Sequence, residues 1–290
     1  MVEELMDKNL LMVELTDYAR NNISTEKERA RFFYYWISEN IQYDFDMLER
    51  HRNEGWTDED VELNESPFLV FEKRSAVCSG FSVLYKWFMD ELGIENEIID
   101  GHIRHITNQT VEPDLDVGFS HAWNAIKIND NWLIVDSTWA QQFETNVPDY
   151  YFDISPEKLI ITHFPSESKW QMLEKPLSLE EFNNSQYIDP LYYLVGFTEK
   201  PSLKQDTDFY YFVWKDNPNS NWMIRLGYGI DSINYEPVPG IEVINQDGYT
   251  YYKFDKKIIP EKAAFKVDLN DFNQEKQTMT IYENIILFRI

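Results

Sequence analysis

A cysteine, a histidine and an aspartate, in that order and each in a different kind of segment, set the strongest limit on how this chain can fold. Cys78 is the only cysteine among 290 residues. It opens a run in which Phe81, Leu84, Phe88 and Leu92 recur at three- and four-residue intervals, while Lys86, Asp90 and Glu91 fall on the other side. That spacing predicts a helix with Cys78 in its first turn and Gly93 as its C′ stop. Downstream, His121-Ala122-Trp123-Asn124 begins one strand-like run, and Trp132-Leu133-Ile134-Val135-Asp136 ends the next. This order has the elements of a Cys-His-Asp acyl-transfer site. A thiol needs a base near neutral pH, and the base needs a partner to fix its tautomer. A lone cysteine is more often buried and inert. Here the unpaired amides of a helix start favour a thiolate, and Ser79 and Gly80 leave the approach clear.

Strand parity tests the pairing of His121 with Asp136. If Asn129-Asp130 forms a two-residue hairpin turn, Ile128 faces Asn131. His121 then stands opposite Thr138, and Asp136 lies two residues away on the same face, within diagonal reach. A three-residue turn would put Asp136 on the opposite face. Trp123 shares the parity of His121, so Trp123 and Trp139 are expected to line a substrate cleft rather than the core.

The rest of the chain divides by pattern. Leu5–Ala19 and the run marked by Phe33, Ile37 and Ile41 read as helices, the second opened by a Thr25/Glu28 capping box. Asp44–Pro67 is acidic and lacks a clear period, and reads as a long loop before the Cys78 helix. Glu95–Ile106 reads as a strand and Thr107–Gly118 as a loop. His102 and His105 lie three apart, so on a strand they point to opposite faces, with no third ligand nearby. Glu112, Asp114 and Asp116 lack the glycine and terminal glutamate of an EF-hand loop. No metal and no cofactor is assigned. Beyond a Ser178/Glu181 capping box, strand-like runs dominate: Phe209–Trp214, Asn221–Leu226, Tyr249–Phe254, Ala263–Val267 and Thr278–Arg289. They predict a sandwich-like module of about 100 residues.

The net charge of −25 argues against nucleic acid and anionic membrane surfaces as partners, and leaves basic or neutral polypeptides. No run of about 18 apolar residues is present to span a membrane. The acidic start, Met1-Val2-Glu3-Glu4, is unlike a signal peptide, which fits a cytoplasmic protein or a secreted one whose signal has been removed. One cysteine excludes an intrachain disulfide. Oligomeric state is not legible.

The sequence resembles the transglutaminase-like (papain-like) superfamily, and within it the kyphoscoliosis-peptidase-type branch. The resemblance runs from Arg29 to Phe182. It is carried by Trp36-Ile37 with Ile41-Gln42-Tyr43-Asp44, by Val77-Cys78-Ser79-Gly80-Phe81, by His121-Ala122-Trp123-Asn124 and by Asp136-Ser137-Thr138-Trp139. Thr162-His163-Phe164-Pro165 and Trp170-Gln171 point to the branch. The resemblance implies Cys78 as nucleophile, His121 as base and Asp136 as its orienter. Ser79 departs from the glutamate often found there.

The expected architecture is α+β: a papain-like, transglutaminase-like catalytic domain over residues 1–188, helical at its start and packed on an antiparallel sheet. An all-β sandwich-like accessory domain follows over residues 189–290. The expected activity is thiol-dependent acyl transfer on peptide or carboxamide bonds of a polypeptide substrate, foremost as a cysteine peptidase. A crosslinking transglutaminase with the same triad, or a non-catalytic protein-binding module that keeps the fold, is the alternative. Removal of asparagine-linked glycans uses the same triad, but the family concerned usually carries zinc-binding cysteine pairs that this chain lacks.

Overall fold

The structure, a computed structural model, describes residues 2–104, 121–142, 148–217, 222–230, 234–273 and 277–289. The expected loop around residues 107–118 and the side chains of His105, Glu112, Asp114 and Asp116 lie outside the described residues. The chain is α+β and forms two compact units. The described residues up to Ile103, with those from His121 to Pro176, make the first. Arg104 and the described residues from Leu177 onward make the second.

In the first unit, α1 (Val2–Asn22) and α2 (Glu26–Asn40) precede α3 (Phe45–Glu54), α4 (Asp58–Glu65), α5 (Pro67–Lys73) and α6 (Cys78–Leu92). Thr25 caps α2 by accepting the Glu28 amide at 3.2 Å. Phe33 and Ile37 are buried, and Phe33 stacks on Phe88 of α6 with centroids 4.0 Å apart. On α6, Phe81, Leu84, Tyr85, Phe88 and Met89 are all buried. Each large apolar side chain removed from water contributes about 1.5–3 kcal/mol. This face therefore fixes the helix and the cysteine that begins it.

The expected loop over 44–67 is helical instead. Each helix in that stretch has its own start signal. Asp44 accepts the Met47 amide, Thr57 and Asp60 form a reciprocal capping box, and Ser66 with Pro67 starts α5. The helices are short and acidic, so no apolar stripe of useful length repeats. Met47 alone is buried from α3, and the buried residues of α4 are the polar Asp60 and Asn64.

Helix α6 packs on an antiparallel sheet of order β5-β4-β3-β6, formed by β3 (Asn96–Ile103), β4 (His121–Ile128), β5 (Asn131–Val135) and β6 (His163–Pro165). The β4–β5 hairpin has the even register: Ile128 faces Asn131 across Asn129-Asp130, both at positive φ. Asn124 of β4 donates to the Ser82 carbonyl at 3.1 Å, which ties sheet to helix.

The second unit holds two sheets. One has the order β11-β10-β14-β15-β7, from β7 (Tyr187–Ile188), β10 (Trp222–Gly229), β11 (Glu236–Pro237), β14 (Ala264–Asn273) and β15 (Thr278–Arg289). The other has the order β12-β13-β9-β8, from β8 (Ser202–Gln205), β9 (Phe209–Lys215), β12 (Glu242–Gln246) and β13 (Tyr249–Asp255). Phe212 stacks on Phe288 at 5.6 Å, and Phe254 meets Phe265 at 5.7 Å, so the sheets face each other as in a sandwich. Pairing of β7 with β15 draws residues before 189 into this unit, ahead of the expected boundary. Among the described residues, no helix is long and apolar enough to cross a membrane.

Candidate active site

Cys78 is placed by the segment before it. A two-residue parallel pair joins β1 (Gln42–Tyr43) to β2 (Ser75–Ala76). Arg74 leaves α5 in the left-handed region at φ 58, with its guanidinium over the rings of Phe71 and Trp36. The buried Asn64 of α4 accepts the Val77 amide at 3.0 Å and donates to the Asp60 carbonyl at 2.8 Å. Val77 caps α6 without a side-chain hydrogen bond, so its own side chain does not occupy the amides of the first turn. A Cβ on Gly80 would lie 2.7 Å from the Ala76 Cβ and 2.8 Å from Asn64 Oδ1, so only glycine lets the helix start approach so closely. Cys78 itself is half-buried.

His121, at the head of β4, and Asp136, just past the end of β5, meet in the interior. His121 Nε2 lies 2.7 Å from Asp136 Oδ2. With Nε2 so engaged, Nδ1 is the ring nitrogen left for another partner. A second imidazole reaches the same oxygen: His163 Nε2 of β6 lies 3.0 Å from Asp136 Oδ2. The other carboxylate oxygen accepts the amides of Thr138 and Trp139, each at 2.9 Å. Asp136 thus has a donor for each of its four lone-pair sites, although it is wholly buried.

The charges follow from this wiring. Burial disfavours a charged His121, but the Asp136 carboxylate, through its charge and its hydrogen bond, outweighs it and pushes the imidazole up to about 10. Burial would raise Asp136, yet the charge of His121 and the hydrogen bonds of His121 and His163 hold it well below the usual carboxylate range. Burial dominates at His163 and holds it down to about 4. The group is therefore one anion, one cation and one neutral ring at neutral pH. Tyr43 of β1 adds a phenol whose ionisation is suppressed chiefly by burial, so it stays a hydrogen donor.

Trp123 and Trp139 are not cleft walls. Both are buried in the core, at 1% and 5% exposure. Trp123 does share the face of His121, with centroids 5.8 Å apart, but that face is covered. The indole lies over Gly101 of β3, where a Cβ would come within 2.6 Å of Trp123 Cη2. Trp139 packs edge-on against His163 at 4.6 Å and Tyr151 at 5.4 Å. The rings sheathe the His-Asp pair in apolar surface, which strengthens its electrostatics. His121, Asp136 and His163 also have the composition of a metal site. Their spacing is that of hydrogen bonds: ligands on a tetrahedral zinc at about 2.0–2.1 Å would stand about 3.3 Å apart, against the 2.7 and 3.0 Å observed.

Residues 13–137 match the sequence profile of the Transglutaminase-like superfamily. This part of the chain is a transglutaminase-like domain. The mouse (Mus musculus) kyphoscoliosis peptidase is 26% identical over 196 residues, covering 65% of this chain and 28% of that protein. The human (Homo sapiens) kyphoscoliosis peptidase is 26% identical over 191 residues, covering 63% and 27%. Hillarin of Drosophila melanogaster is 22% identical over 202 residues, covering 62% and 23%. The chain spans less than a third of the length of these relatives.

Sequence reasoning grouped Cys78, His121 and Asp136, of which the structure joins His121 to Asp136, and it missed the parts around them. Asn64 sits in the stretch read as a loop, and Tyr43 in a strand of two residues. His163 entered only as a motif residue, because no spacing rule links β6 to Asp136.

Proposed function

We propose that the chain catalyses thiol-dependent acyl transfer on peptide or carboxamide bonds of proteins, with hydrolysis as its main outcome. The observation that supports this reading is the buried His121–Asp136 pair, 2.7 Å apart, together with a half-buried Cys78 at the start of α6. In this scheme the Cys78 proton already resides on His121, and the thiolate attacks the carbonyl carbon. His121 then delivers that proton to the leaving amine as the C–N bond breaks. Water attacks the resulting thioester, gives its proton to His121, and the C–S bond breaks to release the acid. Asp136 holds the imidazolium throughout. The Cys78 amide, in an uncapped first turn, is one donor to the oxyanion. The all-β part from residue 189 is read as an accessory domain.

Kyphoscoliosis peptidases among the relatives favour hydrolysis over amine transfer. The test is incubation with casein, with and without a labelled primary amine, using Cys78→Ala as control. New peptide termini without label support a peptidase. Label incorporation converts the reading to a transglutaminase. Equal behaviour of wild type and Cys78→Ala overturns thiol chemistry and leaves the binding-module alternative.

A further inference from the structure

The carboxylate of Asp136 has more partners than a base–orienter pair requires. The second histidine, His163, is fully buried, and its Nε2 shares Oδ2 with His121. Its other nitrogen lies 2.8 Å from Thr162 Oγ1. That hydroxyl has a competing acceptor in the Leu159 carbonyl, at 3.4 Å. Hydroxyl hydrogen bonds are normally about 2.5–3.0 Å, so the Thr162 proton goes to His163 Nδ1. A ring that accepts at Nδ1 is neutral and carries its proton on Nε2, which it donates to Asp136.

Charge balance agrees. The titratable groups facing His163 are Asp136, His121 at a centroid distance of 5.4 Å, and Tyr151 at 5.7 Å, and Trp123 and Trp139 close the remaining sides. Two imidazolium rings sharing one carboxylate oxygen would set two buried cations side by side, with ring centroids 5.4 Å apart. One neutral and one charged ring avoid that.

We propose that His163 is a positioning residue, a neutral imidazole whose tautomer is set by Thr162 and whose Nε2–H clamps Asp136 so that Oδ2 stays aligned on His121. Its catalytic consequence rests on the acyl-transfer reading. Without this donor Asp136 would protonate at higher pH, and His121 would lose its ionic partner earlier on the acid side.

The test uses the full chain as wild type, His163→Gln, which keeps an N–H at similar reach, and His163→Phe, which keeps the shape and removes the donor. Ring-nitrogen NMR of histidine-labelled protein at pH 7 should show His163 neutral and protonated on Nε2. His163→Phe should shift the His121 ring signals, and His163→Gln should largely restore them. Carboxamidomethylation of Cys78, the one thiol, should slow by about 10-fold in His163→Phe, as for other lost second-layer partners. The acid limb of its pH profile should also move upward, with rescue in His163→Gln. A doubly protonated His163 at pH 7, or identical behaviour of all three proteins, overturns the proposal. If His163→Phe does not fold, the wild-type tautomer and the His163→Gln profile still decide it. Failure of the acyl-transfer reading looks different: alkylation of wild-type Cys78 would then be unchanged by His121→Ala, while the NMR outcome stands on its own.

Discussion

His121 Nε2 and Asp136 Oδ2 are 2.7 Å apart, and both residues are buried among tryptophan and tyrosine rings. Removing one partner of such a pair leaves the other charge without compensation. Asp136→Asn is therefore expected to cost about 3–5 kcal/mol of stability. It should also lower acyl transfer by up to about 10⁴-fold by releasing the His121 tautomer. Urea unfolding and turnover measured on the same preparation check both. A stability loss with wild-type turnover would sink the orienting role.

Cys78→Ala should behave in the opposite way. The side chain is half-buried at a helix start and its removal leaves the face of Phe81, Leu84 and Phe88 untouched. Unfolding should change by less than about 1 kcal/mol, while turnover disappears. Residual turnover at the wild-type rate would place the chemistry elsewhere.

The approach of α6 to the preceding strand depends on the missing side chain at Gly80. In Gly80→Ala the new methyl would meet Ala76 Cβ, Asn64 Oδ1 and Val70 Cγ2, the last at 3.0 Å. Such overpacking costs about 1–3 kcal/mol, and it would pry Asn64 from the Val77 amide. The expected result is a lower urea midpoint together with slower alkylation of Cys78. Unchanged values for both would show that the helix start tolerates the methyl.

Much of this site is legible in the sequence because it follows from periodicity. A 3.6-residue stripe places Cys78 at the start of α6, and a two-residue turn puts Asp136 on the face of His121. What the sequence hides is long-range and polar. Asn64 reaches Val77 from a short acidic helix with almost no apolar stripe, and His163 reaches Asp136 from an edge strand of three residues. The tryptophans mislead for a related reason. Parity gives the face on which Trp123 stands, but whether that face is open depends on Gly101, which lets the indole settle onto β3.

Stability should vary with pH in two opposed limbs. His163 is held down to about 4 in the folded state, below its unfolded value of about 6.5. As pH falls from about 6.5 towards 4, the unfolded chain takes up a proton that the folded chain refuses, and stability drops by at most about 3 kcal/mol. Asp136, also held low, extends the loss in the same direction below its ordinary range. His121 has the contrary sign. Raised to about 10, it contributes fully below about 6.5, and that contribution is lost as pH rises towards 10. Urea unfolding followed by tryptophan fluorescence at pH 4.5, 6.5 and 9 should therefore be most resistant at the middle value. His163→Gln cannot take up the proton and should flatten the acid side while leaving the alkaline side in place. An acid slope equal to that of wild type in His163→Gln would mean that His163 is not the group that titrates there.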